Sequence, residues 1–129
     1  ARGIRRGDRV AIILSQGPAA AVAHIAIYKM GAIAVPLAAL FGPDALAFRL
    51  ANSGARALLT NAEGVAKLAE IRDGLGELSV VLSIDGRSDG VDSLADAMAK
   101  ASPRFAAVDS FDDTAATEIY TSGTTGPPK

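Results

Sequence analysis

Between Arg9 and Asp85 short apolar runs of strand length alternate with segments of helical length, and that alternation restricts the possible folds more than any other feature. RVAIIL (Arg9 to Leu14) is β-branched, bounded by Gly7 and by SQGP, and reads as a strand buried on both faces. Pro18 stands where a first helical turn tolerates proline, and Ala19 to Met30 reads as a helix that is apolar nearly all round. Gly31 ends it, and AIAVPL (Ala32 to Leu37) reads as a second strand closed by Pro36. Gly42 and Pro43 open a second helix, with Leu46 and Leu50 one turn apart, Asp44 at its positive start, and Gly54 just past its end.

The rhythm continues. ALLTN (Ala57 to Asn61) is a third strand, and Asn61 caps a helix carrying Val65, Leu68 and Ile71 on one face, with Glu63 and Lys67 spaced to pair on its outer side. Gly74 or Gly76 breaks that helix before a fourth strand, SVVLSID (Ser79 to Asp85). GRSDGVD reads as a loop, after which Asp92 or Ser93 caps a short helix bearing Leu94, Met98 and Ala101 until Ser102 and Pro103 end it. Arg104 to Thr117 has no clear period, and EIYTS (Glu118 to Ser122) reads as a last strand. Strands separated by crossover-length helices predict an α/β fold: a mostly parallel β-sheet of about five strands with helices on both faces. At 129 residues the chain has the length of one domain.

Charge and residue usage exclude several functions. Thirteen basic against fourteen acidic residues, with a short Arg2, Arg5, Arg6 cluster free of aromatics, give no electrostatic footprint for nucleic acid. Without cysteine, and with one histidine, there is no disulfide framework and no metal-ligand spacing, so no metal residue is assigned and the cytoplasm is the expected compartment. No stretch approaches the roughly 18 apolar residues of a membrane span. Half the residues are apolar, at the top of the usual range, which suggests that part of the surface is covered by something else.

The chemistry concentrates in TSGTTGPPK. Gly123 and Gly126 let consecutive backbone N–H groups converge on one spot, Thr121, Ser122, Thr124 and Thr125 add hydroxyl donors, and Lys129 adds a positive charge behind two stiffening prolines. Anions sit in such concavities. Pro127 and Pro128 separate Gly126 from Lys129, so the string is not a Walker loop, nor is it GxGxxG.

YTSGTTGPPK resembles the signature loop of the adenylate-forming superfamily of acyl- and aryl-CoA synthetases, luciferases and peptide-synthetase adenylation domains. GDRVAIIL, YKMGAIAVPLAALFGPDALAFRLANSGARALLT and the paired aspartates of FDDTAATEIYTSGTTG are similar to the segments that precede that loop in acyl-CoA synthetases, so the resemblance spans nearly the whole chain and is weakest from Ala62 to Ser110. It implies that residues 1–129 are part of the larger N-terminal AMP-binding domain, ending at the phosphate-binding loop 120–129, without the C-terminal domain. It implies an enzyme that uses Mg-ATP to turn a carboxylic acid into an acyl-adenylate and passes the acyl group to coenzyme A. Thr121, Ser122, Gly123, Thr124, Thr125, Gly126 and Lys129 would then hold the β- and γ-phosphates. The magnesium, ribose, acyl-pocket and lid residues of the family lie after the loop, so no catalytic set is complete and the chain alone is expected to be inactive. Its apolar surface is expected to make it self-associate.

Other polar residues read as structural. His24 could serve as a general base, but it stands in an apolar helix far before the loop, and a hydrogen-bonded structural role is preferred. Asp109, Asp112 and Asp113 read as a solvated loop rather than a magnesium site, and Tyr120 as a support for the loop. Two rival readings are a complete small α/β binding module and a piece of a peptide-synthetase adenylation domain. The stretch LFGPDAL favours stand-alone synthetases of short, medium-chain or aromatic acids.

Overall fold

The computed structural model describes residues 2–121. The elements follow in the order β1 (Arg9–Ile13), α1 (Pro18–Lys29), β2 (Ile33–Pro36), α2 (Pro43–Ser53), β3 (Ala57–Thr60), α3 (Ala62–Ile71), a 3-10 turn (Arg72–Gly74), β4 (Val80–Ser83), β5 (Asp92–Ser93) and α4 (Leu94–Ala99). The five strands form one sheet ordered β2-β1-β3-β4-β5, and every neighbouring pair is parallel. The α/β class, the parallel sheet and the helices on both faces are therefore as the sequence predicts.

The β-branched run of β1 lies inside the sheet, between β2 and β3, and both its faces are apolar: Val10, Ala11, Ile12 and Ile13 are all buried. Alternate residues of the sheet serve different layers. Ala11, Ile13, Val35, Leu58 and Val81 pack with Leu46 and Leu50 of α2 and Leu68 of α3. Val10, Ile12, Ala34 and Ala57 face the other way, against Ala23 and Ile27 of α1. The chain thus steps from β1 to β2 over one face and from β2 to β3, across β1, over the other, as right-handed crossovers require.

The junction of β3 and α3 is tightly built. Buried Thr60 donates its hydroxyl to the Ile13 carbonyl at 3.0 Å, and a Cβ on Gly64 would stand 1.8 Å from that hydroxyl oxygen, so only glycine lets the helix approach this closely. Asn61 accepts from the Gly64 N–H at 2.9 Å, and Asp85 accepts from the Ala62 N–H at 2.8 Å, so two side chains satisfy the first turn of α3. Gly54, in the left-handed region at φ 61°, closes α2, and Arg9 donates to the nearby Ser53 carbonyl at 2.6 Å.

Two elements differ from the sequence-based expectation. The fifth strand comes from Asp92–Ser93, pairing with Leu82 and Ser83, where a loop and a helix cap are predicted; Ser93 does both, also accepting from the Asp96 N–H at 3.2 Å. The expected last strand, Glu118 to Ser122, is not a strand in its described part, Glu118 to Thr121. Instead Ala34 of β2 donates to the Ala116 carbonyl at 2.9 Å and accepts from the Glu118 N–H at 2.8 Å, making a single parallel bridge at Thr117. The reason is chemical: the next residue of β2 able to extend this ladder is Pro36, which has no N–H to donate.

Candidate functional site

Of the residues expected to hold phosphate, Thr121 lies within the described residues and is exposed; Ser122, Gly123, Thr124, Thr125, Gly126 and Lys129 lie outside them. What the structure defines is the approach to that loop. After α4 the chain takes an irregular path, tethered where the Val108 N–H donates to the Lys29 carbonyl at 2.9 Å, and reaches the outer edge of β2 as an extended strap, residues 116–121. Because the bridge at Thr117 is parallel, the strap runs in the direction of β2, towards the carboxyl ends of the strands. That edge is where open α/β sheets bind ligands.

Both helical layers hold the strap. On the α1 side, the Thr117 hydroxyl is 2.9 Å from the Tyr28 hydroxyl, which is itself 3.0 Å from His24 Nδ1. On the α2 side, the Tyr120 hydroxyl donates to Asn52 Oδ1 at 2.7 Å, and the ring packs against the leucine-rich core. Thr117 and Tyr120 are an odd number of residues apart, so an extended backbone sends them to opposite faces. Arg49 of α2 completes the second contact. Its guanidinium carbon lies 4.0 Å from the ring centre of Phe41 and 5.9 Å from that of Tyr120, within cation-π range of both.

Arg49 is buried, donates to the Ala45 carbonyl at 2.9 Å, and its Nε finds no hydrogen-bond partner among the described residues. Burial raises the Tyr120 phenol above its ordinary value, and the Glu118 carboxylate adds to the shift. Tyr120, expected from the sequence to support the loop, lies outside any strand and packs against α2, and the loop that follows it lies outside the described residues. Arg49, Asn52 and Tyr28 are absent from the sequence reading, although one signal was present. Leu46, Arg49, Leu50 and Ser53 fall at the helical spacing of one buried stripe, and an arginine there needs a partner.

His24 serves as a hydrogen-bond partner of Tyr28, and Asp109, Asp112 and Asp113 are exposed on the connection before the strap. Among the described residues no group of three or more His, Cys, Asp or Glu side chains could hold a metal ion. A recess of about 350 Å³ lined by Arg2, Ser79, Arg87, Ser88 and Asp92 lies at the β4–β5 edge, the opposite side of the sheet from the strap. No helix among the described residues is long and apolar enough to cross a membrane.

The AMP-binding enzyme family model matches residues 1–129. The chain is 34% identical over 145 aligned positions to an acetyl-coenzyme A synthetase of Xanthobacter autotrophicus, an alignment covering 99% of this chain and 22% of that protein. It is 35% identical over 134 positions to the long-chain-fatty-acid-CoA ligase FadD15 of Mycobacterium bovis, covering 98% of this chain and 22% of the relative. Among solved structures, the anthranilate CoA ligase AuaEII in complex with anthranoyl-AMP superposes with a TM-score of 0.93 at 28% identity, over 98% of this chain and 24% of that one. ATP-bound MatB from Rhodopseudomonas palustris superposes with a TM-score of 0.81 at 31% identity, over 99% and 25% of the two chains. The chain thus spans about a quarter or less of the length of these proteins.

Proposed function

This chain belongs to the AMP-binding enzyme family, and from that premise we propose that it supplies the phosphate-holding part of an acid-CoA ligase. The ligase joins a carboxylic acid to coenzyme A at the expense of ATP, in the cytoplasm. In the first step a carboxylate oxygen attacks the α-phosphorus, forming a new P–O bond while the bond to the bridging oxygen breaks and pyrophosphate leaves. In the second, the coenzyme A thiolate attacks the acyl carbon and AMP departs with the electron pair of the broken C–O bond.

The role of this chain lies in the first step. Thr121, Ser122, Gly123, Thr124, Thr125, Gly126 and Lys129 hold the β- and γ-phosphates, placing donors where negative charge accumulates as pyrophosphate leaves. Magnesium, when bound, would share that charge, and no residue among 2–121 is assigned to hold it. The observation that carries the reading is the strap, which leads the first residue of TSGTTGPPK along the edge of β2 towards the carboxyl ends of the sheet, held from both faces.

The chain alone lacks a complete catalytic set and is inactive. It self-associates through α1, where Val22 is 53% and Ile25 59% exposed. The strand order β2-β1-β3-β4-β5 is also that of flavodoxin-like modules, which favours a second reading as a self-sufficient binding module. Trapping the adenylate separates them. A polypeptide of ligase length carrying these residues, given ATP, hydroxylamine and a panel of acetate, octanoate, palmitate and benzoate, yields an acyl hydroxamate and AMP with at least one acid. Tight ATP binding by the 129-residue chain in calorimetry, with no hydroxamate from the longer polypeptide, favours the module instead.

A further inference from the structure

We propose that Arg49 is the positioning residue of the phosphate-holding loop: lodged between Phe41 and Tyr120, its guanidinium fixes the residue that immediately precedes Thr121. The inference rests on the ligase reading above and goes beyond it by assigning a role to a side chain far from the loop in sequence.

A buried arginine is costly unless something compensates its lost hydration. Here no carboxylate within salt-bridge distance does so among the described residues; the ion pairs there join Arg2 to Asp92, Arg56 to Asp8 and Lys67 to Glu63. Arg49 is served by one carbonyl and two aromatic faces, and its Nε is left over. A residue serving the core alone would be better replaced by leucine or methionine at this stripe position. What arginine adds is a planar cation that one ring, Phe41, holds from within the domain and that a second ring, Tyr120, can dock against from outside it. Asn52, one turn further along α2, takes the Tyr120 hydroxyl and sets the ring's rotation. Ring and hydroxyl together fix Tyr120 at two points. The ladder with β2 stops after one bridge, so downstream of Glu118 the ring contacts replace the backbone pairing that Pro36 forbids.

The functional consequence is selective. Losing the clamp leaves the sheet in place and lets the strap wander, so phosphate donors are no longer preorganised. In the ligase-length polypeptide, Arg49→Met is expected to raise the KM for ATP roughly tenfold with a smaller change in kcat, the scale of one cation-π contact. Arg49→Lys, which keeps the cation and loses the planar face, recovers part of it. Phe48→Ala, on the outer side of the same helix, leaves the KM for ATP where it was.

A second readout needs no activity. The chain has no tryptophan and two tyrosines, Tyr28 and Tyr120, so in a Tyr28→Phe background the ultraviolet titration of the 129-residue chain reports Tyr120 alone. With Arg49 present, burial and Glu118 hold the phenol above its ordinary value although the arginine's charge pulls it down; with Arg49→Met the phenol is expected to return towards about 10, as a ring released into water does. If Tyr120 keeps its raised titration in Arg49→Met, or rises further, the ring stays docked without the arginine and the proposal is overturned. It is equally overturned if the folded Arg49→Met ligase keeps the wild-type KM for ATP. Should Arg49→Met fail to fold, Arg49→Lys and Asn52→Ala carry the same two readouts. An unmutated polypeptide that makes no adenylate from any acid, while the titration responds to Arg49, sinks the ligase reading and leaves the clamp standing.

Discussion

The two faces of the sheet are built from different residues. Against α2 and α3 the buried cluster is rich in leucine, with Leu37, Leu46, Leu50, Leu58, Leu68, Leu75 and Leu78 interlocked around the strands. Against α1 it is mostly alanine, with Ala23, Ala32, Ala34 and Ala57 beside Val10, Ile12 and Ile27. Small side chains let α1 lie close, but a single helix leaves much of that face uncovered. The register puts Leu59, Val80 and Leu82 on it, all only half-buried, and Ile84 beyond them is 40% exposed. One face is a finished core, while the other fits a molecule in which further chain packs over it. The strap touches both, through Tyr120 on the finished side and Thr117 on the open side.

That contrast can be broken by mutation. Leu46→Ala, at a fully buried position of the finished face, is expected to cost roughly 3–5 kcal/mol in urea denaturation of the chain, and Ile27→Ala on the α1 face about 2–3 kcal/mol. The reverse order would mean that α1 carries the stability. Gly64→Ala, which drives a methyl into Thr60, is expected to lose about 1–3 kcal/mol by overpacking, measured in the same way.

On the open face the expected change is in association rather than stability. Val22→Lys with Ile25→Glu should leave the unfolding midpoint nearly unchanged, within about 0.5 kcal/mol, yet sharpen the sedimentation boundary to that of a monomer. Unmutated chain that is already monomeric over a wide concentration range would mean that the α1 face needs no cover.

Smaller effects come from pH. The raised Tyr120 phenol means that folding favours its protonated form, so this stabilisation is whole below the unfolded value of about 10 and declines as pH rises past it. Tyr120→Phe should flatten that alkaline decline. At the far edge, the hydrogen bond from Arg2, and then its charge, hold exposed Asp92 below its ordinary 3.8. That contribution is present above the ordinary value and disappears as pH falls through the folded one, and salt should erase it. Arg2→Ala is the mildest of these changes.

How much of this was legible follows the same division. The strands β1 to β4 and helices α1 to α3 were readable because apolar periodicity and the punctuation of Pro18, Gly31, Gly54 and Asn61 agree with one another. The Asn61 cap and the pairing of Glu63 with Lys67, now seen at 2.8 Å, followed from spacing alone. From residue 86 onward the cap at Ser93 and the short helix α4 were still readable, but the strand pairings were not, for two physical reasons. A two-residue strand such as Asp92–Ser93 has no period to detect. The strap has strand-like residues but a partner edge interrupted by Pro36, a long-range fact that no local window contains. Of the proposed phosphate-holding set, the string itself was legible, while the proposed clamp depends on Arg49 meeting Tyr120 across 71 positions of sequence, from 49 to 120.

The most direct test is ATP-pyrophosphate exchange, measured side by side on the 129-residue chain and on a polypeptide of ligase length that carries it. Carboxylate-dependent exchange is expected in the longer polypeptide and none in the shorter. Exchange by the 129-residue chain, or its absence from the longer one with every acid tried, would contradict the assignment of these residues to the phosphate-holding part of a ligase.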